Sequence, residues 1–240
     1  MPADPTEFRT RGDQVLRAEA LSDVVFGFAL TLLVVSLQVP RTFDQLIDVM
    51  RSLPSFAVTF LLLITVWRAH YEFFRRYGLS DRVTMALNTI LLFVVLFYVY
   101  PLKFLFSIAL APLTGANLVD QPPGSVVPPI RPEQAPVLME IFSIGFTAVY
   151  AVFALMFANA YRLRESLELN QFELIETRTF IVLSCSLAVT GLVAIAVAMF
   201  LPEQRSSYSG WIYATIPITW QIIWRCGPRQ KRRLAENNPL

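Results

Sequence analysis

The sequence predicts an all-α, polytopic membrane protein with six transmembrane helices. The chain has 240 residues, of which 55% are hydrophobic and only 16% are charged, whereas soluble domains are about 25% charged. Its mean hydropathy is +0.53. The charges lie between long apolar runs, and a run of about 20 apolar residues crosses the hydrocarbon core of a bilayer. The sequence does not show the alternation of apolar and polar residues that is typical of membrane β-strands.

Six apolar segments are predicted to span the membrane as helices, because backbone groups in lipid must pair within their own segment. They cover residues 19–39, 53–74, 84–111, 137–161, 179–201 and 208–224. Pro40 follows the first segment, Pro101 predicts a kink in the third, and Pro217 lies in the short sixth. The chain therefore divides into a polar N-terminal segment (1–18), a transmembrane domain (19–225) and a basic tail (226–240).

The distribution of Lys and Arg predicts the orientation. With the N-terminus inside, 15 of the 20 basic residues face the cytoplasm and five face out. Six spans then leave both termini cytoplasmic in the cell membrane, and the 112–136 loop, which holds seven prolines, faces out. The basic tail could bind anionic lipid or nucleic acid, but a topological stop signal is the favoured interpretation. Membrane lipid is an expected partner and nucleic acid is not.

Enzyme signatures are missing from the sequence. His70 is the one histidine, which excludes a site with several histidine ligands, and the nine glycines form neither a GxGxxG motif nor a P-loop. No GxSxG motif is present, and Cys185 and Cys226 predict no disulfide framework. We therefore expect a protein that is not an enzyme and needs no cofactor or fixed metal.

The first helix carries the most informative pattern. Asp23 stands at its start, where an acid is costly unless it is paired and is a functional hypothesis by default. Capping of the helix by Ser22 and Asp23 is the alternative. At 100° per residue, a different side of the helix carries an almost wholly apolar stripe with one hydroxyl, and ordinary packing would also explain it. The stripe residues are Val24, Phe28, Thr31, Leu32 and Val35.

Asp23 faces away from this stripe and so needs a partner on a neighbouring helix. Trp67 and His70 lie three residues apart near the inner end of the second helix, and Asn88 lies in the inner half of the third. Their common depth with Ser22 and Asp23 predicts a hydrogen-bonded cluster, with Arg17 as the nearby charge.

These residues resemble a known family. Arg17-x-x-x-Leu21-Ser22-Asp23 is similar to the RxxxFSD signature of the transmembrane-protein-175 family, the lysosomal potassium channel of animals and its prokaryotic relatives. Leu21 replaces the phenylalanine of the motif. The similarity continues at Ser55-Phe56, Trp67, His70 and Asn88, and chain length and helix number extend it over nearly the whole chain.

The resemblance implies a homotetramer whose pore is lined by the first helix of each subunit and conducts monovalent cations passively. By position, Phe28 would form the narrowest ring in place of an aliphatic residue, with Leu32 and Val35 further out and Val24 on the inner side. The ring of Thr31 would contribute to potassium preference through transient contact with K⁺.

The residues and the resemblance together favour a potassium-preferring cation channel with a hydrophobic constriction. A proton- or cation-coupled secondary transporter that uses Asp23 is one alternative. It is disfavoured because transporter sites lie near the bilayer midplane, whereas Asp23 lies near the inner boundary. A non-conducting membrane scaffold is the other alternative.

Overall fold

Long α-helices form most of the part of the chain that the structure describes. A computed structural model of the chain describes residues 8–12, 15–37, 39–115, 130–200, 203–221 and 223. Five long helices follow one another and, within these ranges, no β-strand occurs. They are α1 (Arg17–Val35), α2 (Phe43–Tyr77), α3 (Arg82–Thr114), α4 (Ala135–Arg162) and α5 (Gln171–Phe200). Short 3₁₀ helices cover Pro132–Gln134 and Glu203–Thr215.

All five α-helices are long and apolar enough to cross a membrane. The prediction of an all-α polytopic membrane protein is therefore confirmed. The predicted sixth span, 208–224, begins inside the 3₁₀ helix, becomes α-helical over 216–221, and extends beyond the described residues. Serine and glycine at the start of this segment (SSYSG) have low helix propensity, which explains why a regular α-helix does not begin there.

Helix caps explain why two helices start earlier than the apolar pattern predicts. α2 begins at Phe43 instead of 53, because the Thr42 side chain accepts a hydrogen bond from the backbone N of Gln45 at 3.3 Å. α5 begins at Gln171 instead of 179. The Asn170 side chain accepts from the backbone N of Glu173 at 2.8 Å, and the Glu173 carboxylate accepts from the backbone N of Asn170 at 2.9 Å. This reciprocal pair is a capping box.

The helices form two connected layers. α1 packs on α2 and α3, α3 continues the contact to α4, and α4 pairs with α5. The α4–α5 contact is close because Gly191 has no side chain: a Cβ at this position would lie 2.2 Å from Oγ1 of Thr147. α1 therefore lies at one side of the subunit and is held only by α2 and α3 among the long helices.

The residues before α1 cross the predicted inner end of the bundle. The backbone N atoms of Arg11 and Gly12 both donate to the carbonyl of Arg75 at 3.1 Å. Arg9 and Arg11 also donate to the carboxylate of Glu173, whose side chain is fully buried. The segment thus ties the start of α1 to the end of α2 and the start of α5.

Candidate pore helix and its polar contacts

α1 has two opposite faces. One face is buried against α2 and α3, and its members recur every three or four residues: Glu19, Ser22, Phe26, Ala29 and Leu33. The other face is exposed in the subunit and includes Val24 (68% exposed), Phe28 (56%), Thr31 and Val35 (72%). The exposed face corresponds to the predicted stripe, so the fold of a single chain leaves this stripe without a packing partner among the described residues.

The exposed face is wider than the predicted stripe. Leu32 is half-buried and lies at its edge. Leu21 and Val34, which the sequence analysis did not include in the stripe, are 59% and 52% exposed. Gly27 is exposed as well. The helical period contained a signal for these positions: at 100° per residue Leu21 lies about 20° from Phe28, and Gly27 and Val34 lie about 40° and 60° beyond Thr31.

Thr31 forms a local hydrogen bond that leaves its oxygen able to accept others. Its Oγ1 donates to the carbonyl of Gly27, one turn back, at 2.9 Å. A hydroxyl has one donor and two lone pairs. The local bond uses the donor, so the lone pairs stay on the exposed face of α1. A cation is bound by oxygen lone pairs, so the Thr31 oxygen presents the group that a cation requires.

The polar residues on the buried face of α1 form a directed chain of hydrogen bonds. Ser22 Oγ donates to the carbonyl of Ala18 at 2.7 Å, and Asn88 Nδ2 donates to Ser22 Oγ at 3.0 Å. Asn88 Oδ1 lies 2.8 Å from Nε2 of His70. Because Asn88 Oδ1 can only accept, His70 Nε2 carries the proton. The chain joins α1, α3 and α2 through three side chains that are each at most 3% exposed.

The His70 ring is enclosed by apolar groups on its other side. Its second nitrogen, Nδ1, is buried and has no hydrogen-bond partner among the described residues. The ring centroid lies 4.8 Å from that of Phe74 and 5.6 Å from that of Phe26. A proton on Nδ1 would be a buried donor without an acceptor, which is costly.

Asp23 and Trp67 form a separate contact. Trp67 Nε1 donates to the Asp23 carboxylate at 2.8 Å in an exposed position. In the described part of the chain, no hydrogen bond links this pair to Ser22, Asn88 or His70. The predicted single cluster is therefore two clusters, because Asp23 and Ser22 are 100° apart around α1.

Arg17 does not join either cluster. Its side chain is exposed at the start of α1 and has no hydrogen bond or ion pair to another described residue. Within the described residues no contact joins Arg17 to Asp23, so the role of Arg17 as the nearby charge stays a prediction. Glu19, which the sequence analysis did not single out, is instead the buried charged residue of the first turn, at 3% exposure. Its three-residue spacing from Ser22 is the signal that could have found it.

The other end of α1 is held by a lysine that the sequence analysis also missed. Lys103 Nζ, from α3, donates to the backbone carbonyl of Ser36 at 2.9 Å and to its Oγ at 2.6 Å. Ser36 is the C-cap of α1. A cation at this position suits the negative end of the helix dipole.

Comparison with known proteins places this geometry in a family. The sequence profile described as "Endosomal/lysosomal potassium channel TMEM175" matches residues 17–98, which include every residue of the two clusters. A potassium channel of Marivirga tractuosa is 36% identical over 233 residues, 96% of this chain and 94% of the relative. The chain belongs to the TMEM175 family. A potassium channel of Streptomyces collinus is 34% identical over 85 residues, 33% of this chain and 41% of the relative.

Solved TMEM175 structures share the fold. A crystal structure of a variant of the potassium channel MtTMEM175, in complex with a nanobody–MBP fusion protein, is 33% identical with a TM-score of 0.78. The match covers 94% of this chain and 98% of that one. The crystal structure of a lysosomal potassium-selective channel TMEM175 homolog from Chamaesiphon minutus is 21% identical with a TM-score of 0.55, covering 86% of this chain and 96% of that chain, and supports the fold alone. Membership of a family of ion channels confirms the predicted family and the prediction that the protein is not an enzyme.

Proposed function

We infer that the protein is a potassium-preferring cation channel whose pore is lined by the exposed face of α1. The observation that carries this inference is the exposed stripe of Val24, Phe28, Thr31 and Val35 in a chain of the TMEM175 family. An apolar stripe would also suit lipid. The single hydroxyl on the stripe, with its lone pairs unused, favours the pore because it offers a cation an oxygen ligand.

A pore requires several copies of α1, and we propose a homotetramer. Four helices around one axis would convert each stripe residue into a ring. Phe28 would then form the narrowest apolar ring, which raises the barrier to a hydrated cation by excluding water. Thr31 lies less than one turn further along α1, where it could contact a partly dehydrated K⁺ in transit. Leu32 lies at the edge of the stripe. It would pack against Phe28 and against the α1 helix of a neighbouring subunit.

The two polar clusters lie away from the exposed stripe of α1 and hold this helix in place for the proposed pore. The Ser22–Asn88–His70 chain holds the inner half of α1 on α2 and α3, and the Asp23–Trp67 bond limits its rotation. Passive conduction needs no cofactor, and K⁺ is the permeating ion. We place the protein in the cell membrane with residues 1–18 and 226–240 in the cytoplasm, on the basis of the asymmetry of Lys and Arg.

The reversal potential of the purified protein in planar bilayers tests the proposed function. With K⁺ on one side and Na⁺ on the other, we expect discrete unitary currents. Their reversal potential should be shifted from zero toward the K⁺ equilibrium potential. A flux that is coupled to a second ion in a fixed ratio would contradict the proposal in favour of a transporter. Absence of current from a correctly folded, assembled protein would contradict it in favour of a scaffold.

A further inference from the structure

A cavity of about 540 Å³ lies at the Ser36 end of α1, between the start of α2 and the last third of α3. Its polar lining includes Ser36, Asp48 and Lys103, and its apolar wall includes Tyr100 and Phe104. A volume of this size lies in the range of ligand-binding sites, which are commonly about 300–1,000 Å³.

The cavity has a positive charge without a counter-ion. Lys103 forms no ion pair with a carboxylate in the described part of the chain; both of its bonds go to Ser36. The other charge in the lining, Asp48, is paired with Arg51 at 3.2 Å. A lysine ammonium has three donors, so one N–H of Lys103 is left for a further acceptor. Lys103 therefore offers both a positive charge and a free donor to a ligand in the cavity.

Measured along α3, Lys103 lies about one hydrocarbon thickness from Arg82. α3 begins at Arg82, and at 1.5 Å per residue Lys103 lies about 32 Å further along the helix. The hydrocarbon core is roughly 30 Å thick. If Arg82 marks one interface, Lys103 therefore lies at the opposite one.

An aromatic stripe runs from the cavity toward the middle of the membrane. Four exposed rings follow one face of α3 at helical spacing: Phe93, Phe97, Tyr100 and Phe104. An acyl chain attached to a headgroup in the cavity would lie along these rings. Charge and shape are thus complementary to one kind of molecule, an amphiphile with an anionic head.

We propose that this cavity binds the headgroup of an anionic phospholipid, with the free N–H of Lys103 donating to a phosphate oxygen. Because Lys103 also bonds the C-cap of α1, bound lipid contacts the residue that holds the end of this helix. The site is distinct from the exposed stripe of α1 and does not depend on conduction.

Native mass spectrometry of the full-length protein from mixed micelles tests the proposal, with phosphatidylglycerol and phosphatidylcholine of identical chains as probes. The wild type should retain phosphatidylglycerol preferentially. Lys103→Met should lower that preference about tenfold, the effect of losing one charge-assisted hydrogen bond, whereas Lys103→Arg should keep it. Arg131→Gln, which removes an exposed charge outside the cavity, should behave as the wild type.

A further variant separates lipid binding from the packing of α1. Ser36→Ala removes one acceptor of Lys103 but leaves its charge, so it should retain the preference for phosphatidylglycerol. An equal loss in Ser36→Ala and Lys103→Met would overturn the proposal, because the effect would then come from the end of α1. No preference in the wild type, together with altered oligomeric state in Lys103→Met, would show that a second copy fills the cavity and would also overturn it.

Discussion

At the scale of single residues, the exposed face of α1 combines one hydroxyl with large apolar groups. Thr31 satisfies its donor locally with the Gly27 carbonyl and presents only lone pairs. Phe28 is 56% exposed although it is a large aromatic group. The sequence alone left open whether the Thr31 hydroxyl would bond the backbone or an ion. The observed hydrogen bond makes the two roles compatible, since one uses the donor and the other uses the lone pairs.

Thr31→Val should reduce the preference for K⁺ over Na⁺. The variant keeps the shape of the side chain but removes the oxygen, and losing one interaction of about 1 kcal/mol lowers the permeability ratio roughly fivefold. Reversal potentials under asymmetric K⁺ and Na⁺ measure this ratio. Thr65→Val is the matched control, because Thr65 is also exposed and donates to a carbonyl one turn back, at 2.8 Å, but lies on α2. Equal effects in both variants would contradict the role of Thr31.

Phe28→Ala should raise unitary conductance. If Phe28 forms the narrowest ring, a smaller side chain widens the constriction and makes it easier to hydrate. Single-channel recording in symmetric K⁺ measures the change. Phe200→Ala removes an exposed ring from the end of α5 and should leave conductance unchanged. The placement of α1 around the pore would be wrong if Phe28→Ala conducted as the wild type does.

At the scale of elements, α1 is positioned by polar contacts at both ends. Ser22 joins it to Asn88 and His70 near its start. Ser36 joins it to Lys103 at its end. Between these points the contact is apolar, through Phe26, Ala29 and Leu33. Hydrogen bonds are more directional than apolar contacts, so the polar contacts at the two ends add to the packing in setting the rotation of α1.

Asn88→Ala should destabilise the α1–α2–α3 contact. In this variant Nε2 of His70 loses its acceptor and the hydroxyl of Ser22 loses a donor. Each group stays buried, and leaving such a group unpaired lowers the free energy of unfolding by about 1–3 kcal/mol. Thermal unfolding in detergent, followed by fluorescence, should show a lower midpoint. Thr89→Ala provides the comparison, since the neighbouring Thr89 is exposed and donates only within α3, to Met85. A similar shift in both variants would show that the buried chain does not stabilise the contact.

Asp81 caps α3 and makes stability sensitive to acid. Burial alone would raise the pKa of Asp81, but hydrogen bonds from Thr84 and Asn159 outweigh it, so this pKa lies below its ordinary value. A carboxylate with a lowered folded-state pKa stabilises the fold above its unfolded pKa of about 3.9. This contribution is lost as pH falls from about 4 through the folded-state pKa.

Asp81→Ala should therefore lower stability near neutral pH by about 1 kcal/mol, the usual value of an N-cap. It should also weaken the loss of stability below about pH 4, because the titrating group is gone. Unfolding midpoints measured at several pH values test both effects. Glu165→Ala, which removes a carboxylate with an 89% exposed side chain, should change neither. A variant at Asp81 with unchanged neutral-pH stability would refute the capping role.

At the scale of the whole molecule, α1 is connected to the rest of the subunit through a few contacts. Among the long helices, α1 packs only on α2 and α3. The segment before it reaches α5 through Glu173, which accepts from Arg9 at 3.1 Å and from Arg11 at 2.8 Å. Movement of the α4–α5 pair would therefore act on α1 through α3, through this segment, or through α2, whose Arg76 and Tyr77 contact Glu176 and Thr177 of α5.

The proposed topology can be tested by cysteine labelling in intact cells. With Cys185 and Cys226 replaced by serine, Ser125→Cys in the proline-rich loop should react with an impermeant maleimide. Ser80→Cys, in the exposed turn between α2 and α3, should react only after lysis. The opposite pattern would reverse the orientation, and reaction at neither position in intact cells would contradict an outward-facing 112–136 loop.

The sequence by itself determined the helical class, five of the six predicted membrane spans and the two faces of α1. Lipid requires each spanning segment to satisfy its own backbone, so apolar runs predict helices directly. The helical period then assigns Val24, Phe28, Thr31 and Val35 to one side without knowledge of any neighbour. Helix bounds were less predictable: polar first turns, capped by Thr42 and Asn170, extend α2 and α5 beyond their apolar runs.

Only the tertiary structure decided which polar side chains meet. Depth in the membrane can be estimated from sequence, but the rotation of one helix against another cannot, because it depends on packing along the whole interface. Ser22 and Asn88, 66 residues apart, are therefore joined, as are Ser36 and Lys103, 67 residues apart. Arg17, about 9 Å from Asp23 along α1, has no partner among the described residues. A hydrogen bond needs its two atoms within about 3 Å, and only the packed helices determine that distance.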